Sequence, residues 1–404
     1  MIHVLEVSEP KNLRQIMQQI RVDPYGVKIM LPKAITHLIK INSVSNIAAN
    51  ILKQEMLSLG GDVAVARDAL TGKSRKTDCL LMGNLSQLNR LNEKLNKQPF
   101  GLDSLAGNLT CALSNYQRDK FLINLGRYRL RLGLRAYIMG IVNLTPDSFS
   151  GDGMYAYGVR RTAYGAQDIV EYVEKMVRDG ADIIDIGGKS SRPGAKSVSI
   201  KEELARTIPV IKGLAKKIKV PISIDTSKPE VARQALDHGA VMVNDISGLR
   251  SPKMAKVIAQ YKAGLVIMHM KGNPRTMQRN PAYKSLIDEV LVYLHRVIEM
   301  AWEAGIDREK TIVDPGIGFG KTVGHNLEIL KNLKEFKVLG RPILVGPSRK
   351  SFIGKILNVG PQERIFGTVS SCVLAVKNGA NIVRVHDVKA VKQALKVSEA
   401  ILGT

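Results

Sequence analysis

One pattern recurs through the last two thirds of the chain: a short β-branched strand, a polar or glycine-rich break, a helical stretch of about ten to twenty residues, and another strand. Eight strands are predicted in this way, at 137–142, 182–186, 222–225, 241–244, 265–268, 311–314, 343–345 and 382–385. Eight βα units within about 270 residues favour a closed (β/α)8 TIM barrel over an open Rossmann sheet.

The joints that lead into several of these strands share one form. They read RDGADIIDI from Arg178, DHGAVMVNDI from Asp237 and KNGANIVRVHDV from Lys377. In each, a glycine stands where a helix ends in a left-handed turn, and a continuous apolar run follows, which is typical of a strand buried on both faces. The joints therefore support the barrel prediction.

The first 135 residues do not follow this pattern. KIML, THLIKI, DVAVA and CLLMG read as short strands, and SVSNIAANILKQEMLSLG and NLSQLNRLNEKLNK read as helices. We therefore predict a small N-terminal α/β domain over 1–135 and the barrel over 136–404. The alternation of apolar and basic residues at 122–135 predicts an edge strand or hairpin that leads into the barrel.

Composition narrows the class of function. The chain has 60 Lys and Arg against 36 Asp and Glu, a net charge of +24, without a long basic run or basic residues interleaved with aromatic ones. This favours a solvated basic surface, or an enzyme for anionic small molecules, over a nucleic-acid site. No apolar run is long enough for a membrane span and the first residues do not resemble a signal peptide, so a cytoplasmic protein is expected. Three widely spaced cysteines indicate neither disulfides nor a zinc site.

Polar residues follow all eight predicted strands. Barrel enzymes place their chemistry at the carboxyl ends of the strands, so these positions are the candidate active site. The ends of strands 1 to 8 and the segments that follow them contain, in order, Asn143, Ser191 and Arg192, Asp225, Asn244, His269, Asp314, Lys350, and Arg384 with His386. Any one of them could be a helix cap or a core residue, but eight together on one rim indicate a site.

These side chains fall into two chemical groups. The residues that offer donors and acceptors to a flat, nitrogen-rich heterocycle such as a pterin or purine are Asp225, Asn244, Asp314 and Lys350. The hydroxyl and cationic donors suited to a phosphate or diphosphate are Ser191, Arg192, Arg384 and His386. A divalent cation that bridges a diphosphate needs only one or two protein oxygens, and Asn143 can supply one.

The motifs in this order resemble those of the dihydropteroate synthases. They read IMGIVNLTPDSFS, DIIDIGGKSSRPGA, ISIDTSKPEV, VNDISG, VIMHMKGNPRTMQ, DPGIGFGKTVGHNL, GPSRKSFIG and RVHDV, from about Ala136 to Thr404. The resemblance implies a transferase of folate biosynthesis and a sulfonamide target. Its reaction would join 6-hydroxymethyl-7,8-dihydropterin diphosphate to p-aminobenzoate with Mg2+ present, and a homodimer is expected.

The same resemblance assigns roles to single residues. The pterin would be held by Asp225, Asn244, Asp314 and Lys350, the diphosphate or the p-aminobenzoate carboxylate by Ser191, Arg192, Arg384 and His386, and the magnesium by Asn143. A dissociative reaction would depend on Asp225, Lys350 and Arg384, because positive charge develops on the pterin methylene and negative charge on the leaving diphosphate.

The sequence departs from the family pattern at two places. Lys189 stands where the family usually has Glu, and it either raises diphosphate affinity or faces solvent. The glycine-rich loop after Ser150 is longer than usual and predicts a lid over p-aminobenzoate, with Phe149 and Asp152 as candidate contacts.

Two other functions remain open at this stage. A pterin-binding methyltransferase module would share the barrel and the pterin pocket, but it would have no use for the diphosphate groups in SRPG, SRKS and RVHD. A catalytically idle scaffold is disfavoured by the complete set of candidate residues. For the N-terminal domain, which has no recognisable catalytic cluster, docking or oligomerisation is favoured over a second enzyme.

Overall fold

The computed structural model describes residues 1–5, 7, 10–71, 75–144, 166–189, 198–273 and 276–403. These residues form two compact units, Met1–Ser114 and Asn115–Thr404. The sequence predicted this boundary between residues 135 and 136. The structure places it about twenty residues earlier, because the hairpin that precedes the first barrel strand belongs to the second unit. Among the described helices, none has the length and apolar character that crossing a membrane requires.

The first unit is built on a three-stranded antiparallel sheet with the strand order β1-β3-β2. Its strands are β1 (Thr36–Ser45), β2 (Asp62–Val65) and β3 (Lys76–Asn84). Its helices are α1 (Pro10–Gln19), α2 (Pro24–Met30), α3 (Asn46–Leu57), α4 (Arg67–Thr71), α5 (Leu85–Leu95) and α6 (Leu102–Gln117), the last of which crosses the division between the units. The helices α3, α5 and α6 bury their apolar residues against one face of the sheet.

Side-chain caps mark the starts of three of these helices, α2, α3 and α5. Ser45 and Asn84 accept backbone hydrogen bonds at the starts of α3 and α5, where the sequence predicted helices. The predicted strand KIML is wrong: these residues lie at the end of α2 and in a 3-10 turn. The Asp23 side chain caps that helix, and Pro24 occupies its first turn, so the apolar run continues a helix.

The second unit begins with the hairpin β4 (Phe121–Leu125) and β5 (Tyr128–Leu132). Its inward residues, Phe121, Ile123, Leu125, Leu130 and Leu132, are buried. They pack with one buried residue from each of seven barrel strands, and these are Met139, Ile183, Met242, Val266, Ile312, Leu344 and Ile382. The predicted hairpin is therefore part of the hydrophobic core of the barrel.

The barrel itself is an eight-stranded parallel sheet, which confirms the predicted fold class. The strands are β6 (Tyr137–Asn143), β7 (Ile183–Gly187), β8 (Ile222–Asp225), β9 (Met242–Asp245), β10 (Gly264–Met268), β11 (Thr311–Asp314), β12 (Leu344–Val345) and β13 (Ile382–Val385). Each agrees with its prediction to within one residue at each end. A parallel bridge from Val313 on β11 to Ile343, which directly precedes β12, connects the two strands at the ends of the sheet order.

Helices surround the barrel in the expected alternation. They are α7 (Ala166–Arg178), α8 (Ile200–Lys217), α9 (Pro229–Asp237), α10 (Pro252–Gln260), α11 (Leu286–Glu303), α12 (Val323–Lys331), α13 (Ser351–Leu357), α14 (Ile365–Lys377) and α15 (Val388–Leu402). Their apolar faces and the strands form one continuous core. Because all eight strands are parallel, their carboxyl ends meet at one rim, where the candidate residues lie.

Candidate active site

The centre of the site is a buried ionic network between four strand ends. Arg384 on β13 donates from Nε to Asp185 Oδ2 at 2.6 Å and from Nη2 to Asp225 Oδ2 at 2.8 Å. Asn244 on β9 donates from Nδ2 to the same Asp185 oxygen at 3.0 Å. One guanidinium therefore pairs with two carboxylates, and charges of both signs meet at one end of the barrel.

The sequence prediction missed Asp185. It lies on β7, is fully buried, and orients both Arg384 and Asn244. Its Oδ1 atom is buried and has no hydrogen-bond partner among the described residues. The detectable signal was an aspartate inside an otherwise apolar, doubly buried strand, which requires a compensating partner.

Charge and burial act in opposite directions on this network. Burial raises the pKa of Asp225 to about 7, although the neighbouring Arg384 lowers it. Burial lowers the pKa of Arg384, but the carboxylates of Asp185 and Asp225 outweigh that effect and raise it. Arg384 therefore stays cationic, whereas Asp225 changes its charge near neutral pH.

A second wall of the site is formed by Asp314, Phe319 and Lys350. The Asp314 carboxylate accepts from the Gly316 backbone N–H at 2.7 Å, and burial raises its pKa to about 6. Lys350 Nζ lies 4.1 Å from the centre of the Phe319 ring, a cation–π distance. Burial and the charge of Arg384 lower the pKa of Lys350 to about 8, against the opposing effect of Asp314 and Asp225.

His386 connects the ends of three strands. Its Nδ1 atom lies 3.1 Å from Ser348 Oγ, and its backbone N–H donates to the same hydroxyl at 3.2 Å. Its Nε2 atom lies 3.5 Å from Asn143 Nδ2. The structure therefore brings the predicted magnesium residue Asn143 close to His386, which was predicted to bind the anion together with Arg384, two residues before it in the chain.

Not every predicted residue can be placed. Ser191 and Arg192 lie outside the described residues, as do Phe149, Asp152 and the glycine-rich loop that contains Asp152. Lys189 is described and is half-buried. The roles given to these residues stay predictions.

Described residues on either side of the 190–197 segment accept side-chain hydrogen bonds through their backbone carbonyls. Arg206 donates to the Gly188 carbonyl at 2.9 Å, and Lys228 Nζ donates to the Val198 carbonyl at 2.5 Å. The same lysine pairs at 2.6 Å with the buried Glu203, which also accepts from Thr226, the residue after Asp225. Glu203 thus couples the β8 end to the stem of that segment.

A buried ion pair holds the SRKS and RVHD motifs together. Arg349 donates from Nε and Nη2 to the two carboxylate oxygens of Asp387 at 2.9 and 2.6 Å, and both side chains are under 10% exposed. The backbone of Arg349 has φ +54°, a left-handed conformation that costs free energy in a non-glycine residue. The pair therefore stabilises a strained turn between Ser348 and Lys350.

Removing one partner of this pair should destabilise the fold. We expect Asp387→Ala to lower the free energy of unfolding by about 3 to 5 kcal/mol, because it leaves a buried guanidinium without its counter-ion. Urea denaturation measures the change. Glu230→Ala, which breaks the exposed Arg233–Glu230 pair, is the control and should leave the midpoint nearly unchanged. Equal midpoints for Asp387→Ala and the wild type would contradict the inference.

A polar cavity of about 460 Å³ lies beside this turn. Its lining includes Lys321, Thr322, Ser351 and Lys355, and no carboxylate is among the described residues that line it. The cavity therefore favours an anionic group over a cationic one.

Comparison with known proteins agrees with this geometry. A family model for pterin-binding enzymes matches residues 139–386. A dihydropteroate synthase of Synechocystis sp. is 50% identical over 271 residues, which cover 67% of this chain and 91% of that protein. The crystal structure of a Yersinia pestis dihydropteroate synthase with a sulfonamide drug complex superimposes with a TM-score of 0.65 and 40% identity, over 70% of this chain and 100% of that one.

One longer relative also matches the N-terminal unit. A probable bifunctional folylpolyglutamate synthase/dihydropteroate synthase of Halobacterium salinarum is 39% identical over 396 residues. The match covers 98% of this chain and 46% of that protein. A counterpart of the N-terminal unit therefore precedes the barrel region in at least this relative.

Proposed function

The chain belongs to the dihydropteroate synthase family, and from this premise we propose how its residues perform the transfer. As a dihydropteroate synthase it is a transferase: it condenses 6-hydroxymethyl-7,8-dihydropterin diphosphate with p-aminobenzoate to give 7,8-dihydropteroate and diphosphate. The observation that carries the residue assignment is the Arg384 guanidinium between Asp185 and Asp225, because a reaction that separates charge needs both signs in one place.

The pterin binds in the barrel mouth. Asp225 and Asp314 accept hydrogen bonds from its amidine-like N–H groups, and Asn244 and Lys350 donate to its ring carbonyl and nitrogen. Asp185 fixes the orientation of the Asn244 amide, because Nδ2 donates to it and Oδ1 is left to accept. Asp185, Asp225, Asn244 and Asp314 lie on four strands of a rigid barrel, and Lys350 lies at the start of α13, so the pocket is formed before the ligand binds.

The bond to the diphosphate breaks before the aniline nitrogen attacks. The Asp225 and Asp314 carboxylates stabilise the cationic pterin methylene, and Arg384 and His386, together with Ser191 and Arg192, bind the leaving diphosphate. Some of these residues also bind the p-aminobenzoate carboxylate. No general base is required, because the aniline nitrogen is already nucleophilic.

Asn143 is the residue assigned to Mg2+. Its Nδ2 atom lies 3.5 Å from His386 Nε2, and its Oδ1 atom lies near Gly187 at the β7 end. A divalent cation that binds a diphosphate needs only one or two protein oxygens, and Asn143 would supply one. When bound, Mg2+ would neutralise charge on the leaving diphosphate.

The reaction can be tested directly. The purified protein is incubated with the pterin diphosphate, p-aminobenzoate and Mg2+, and the products are identified by mass spectrometry. We expect 7,8-dihydropteroate and diphosphate in equal amounts. The alternative, a pterin-binding methyltransferase module, would bind the pterin without releasing diphosphate, so that result would overturn the assignment.

We propose a homodimer that buries an apolar surface on three neighbouring helices, α13, α14 and α15. Large apolar side chains are exposed there, and those more than half exposed are Ile356, Phe366, Leu374, Val397 and Ile401. Phe366 is 80% exposed and Ile401 is 78% exposed. An apolar cluster of this kind on a soluble enzyme is typical of a protein interface.

Replacing Phe366 with Asp should convert the dimer to a monomer, because a carboxylate would be desolvated in the interface. Light scattering coupled to gel filtration measures the mass. Val292→Asp changes an exposed apolar residue on α11 and should leave the dimer intact. A monomeric wild type, or a dimer that persists in the double variant Phe366→Asp and Ile401→Asp, would refute this interface.

A cytoplasmic location and a docking or oligomerisation role for the N-terminal unit stay predictions.

A further inference from the structure

A pair of buried basic side chains next to the pterin pocket has no role in the mechanism above. Lys321 follows the β11 loop and is 2% exposed, and His269 follows β10 and is 5% exposed. Lys321 Nζ lies 2.9 Å from His269 Nδ1 and donates to the Phe319 carbonyl at 3.1 Å. No carboxylate forms a salt bridge with this ammonium within the described ranges, which is costly for a buried lysine.

The charge states of the pair follow from burial. Burial, with the charges of Lys321 and Lys271, lowers the pKa of His269 to about 2, so its ring is neutral and Nδ1 is a hydrogen-bond acceptor. Burial lowers the pKa of Lys321 to about 7, an effect that Asp314 opposes and Lys350 reinforces. A neutral histidine that accepts from a lysine fixes the direction of the Lys321 hydrogen bonds.

The loop that Lys321 holds is the one that carries Phe319. This loop, residues 315–320, contains Gly316, Gly318 and Gly320 in left-handed conformations. A Cβ at Gly316 would lie 1.9 Å from the His269 carbonyl oxygen, so the loop packs directly against the β10 end. Glycine alone permits this path, but it also makes the free loop backbone adaptable.

Side-chain hydrogen bonds compensate for that adaptability. Gln278 donates to the Gly318 carbonyl at 2.8 Å, and Tyr283 donates to the Gly320 carbonyl at 2.8 Å. Lys321 donates to the carbonyl of Phe319, the residue between Gly318 and Gly320. The Phe319 ring lies against the ammonium group of Lys350, which is one of the residues proposed to bind the pterin. The position of the Phe319 backbone therefore affects the position of Lys350.

We propose that the buried Lys321–His269 pair is a positioning device for the pterin pocket. His269 orients the Lys321 side-chain nitrogen, which fixes the Phe319 backbone through its hydrogen bond and, when protonated, supplies positive charge close to Asp314. Phe319 in turn positions Lys350. Lys321 and His269 are positioning residues in this scheme, and the inference rests on the pterin pocket assigned above.

Three variants test the pair. Lys321→Met keeps the aliphatic stem and removes the donor, and His269→Leu removes the acceptor. His269→Asn is the matched control, because its Oδ1 atom can occupy the place of Nδ1 and accept from Lys321. We expect the Kd for the pterin diphosphate, measured by calorimetry without p-aminobenzoate, to rise roughly tenfold or more in Lys321→Met and His269→Leu. His269→Asn should stay within about threefold of the wild type.

A spectroscopic measurement reports on the pair independently of turnover. In protein labelled with 15N-histidine, the His269 Nδ1 signal should be that of an unprotonated, hydrogen-bonded ring nitrogen between pH 5 and pH 9. It should shift toward that of a free ring nitrogen in Lys321→Met. The signal is assigned by its loss in His269→Asn.

Two results would overturn the proposal. One is a folded Lys321→Met variant with the wild-type Kd and an unshifted Nδ1 signal. The other is equal weakening in His269→Asn and His269→Leu at unchanged melting temperature, which would mean that only ring packing matters. If the wild type binds the pterin diphosphate but forms no dihydropteroate, the reaction assignment fails, while these binding and NMR results still decide the role of the pair.

Discussion

Arg384→Ala should lower turnover by about two orders of magnitude, which corresponds to roughly 2 to 4 kcal/mol of transition-state stabilisation. In the structure Arg384 is the cation shared by Asp185 and Asp225, and in the proposed mechanism it also binds the leaving diphosphate. Steady-state kinetics with both substrates measures the effect. Near-normal turnover in this variant would refute the assignment.

The control for this prediction must separate catalysis from folding. Alanine at 384 leaves two buried carboxylates without their counter-ion, so the melting temperature should also fall. Arg384→Lys keeps a positive charge but cannot donate to both carboxylates through one planar fork. We expect it to recover most of the stability and little of the turnover. Full recovery of both would mean that charge alone is required.

The sequence predicted the barrel well because every strand is a short apolar run, and several of these runs are also preceded by a glycine joint. The site residues followed from a geometric rule, since parallel strands bring their carboxyl ends to one rim. Asn143, Asp225, Asn244, Asp314, Lys350, Arg384 and His386 all lie at that rim, although their individual roles remain proposals.

Contacts between distant residues could not be predicted in this way. Asp185 was overlooked because its partners, Asn244 and Arg384, are 59 and 199 residues away along the chain. The Lys321–His269 pair joins residues that are 52 positions apart. The sequence context can mark a single side chain, as it does for Asp185 and His269, but only the closure of the barrel determines which side chains meet.

The hairpin and the segment KIML show the limits of local patterns. The hairpin was predicted from its alternation, but alternation does not indicate which core receives the buried face, and the structure places that face in the barrel. In KIML the apolar run was read without the Asp23–Pro24 start signal that precedes it. Capping residues therefore decide between helix and strand for short apolar runs.

Asp225→Asn should lower the specificity constant, kcat/KM, for the pterin diphosphate by roughly 30- to 150-fold. The reason is that an uncharged amide replaces a carboxylate that accepts hydrogen bonds from the pterin. Asn keeps the side-chain volume and Asp185 remains as the counter-ion of Arg384, so the melting profile should be unchanged. Asp237→Asn, an exposed carboxylate on α9, is the control and should behave as the wild type. An unfolded Asp225→Asn variant would mean that Asp225 is structural.

The pH dependence of kcat/KM tests the role of Asp225 in a second way. Burial raises the pKa of Asp225 to about 7 and that of Asp314 to about 6, and both groups lose their charge as the pH falls. In the wild type, kcat/KM for the pterin diphosphate should therefore decline below about pH 7, and it should also decline above about pH 8 as Lys350 loses its proton. Without the Asp225 carboxyl group, the acidic limb should move to about pH 6, where Asp314 titrates. An acidic limb that stays at pH 7 in Asp225→Asn would show that another group controls it.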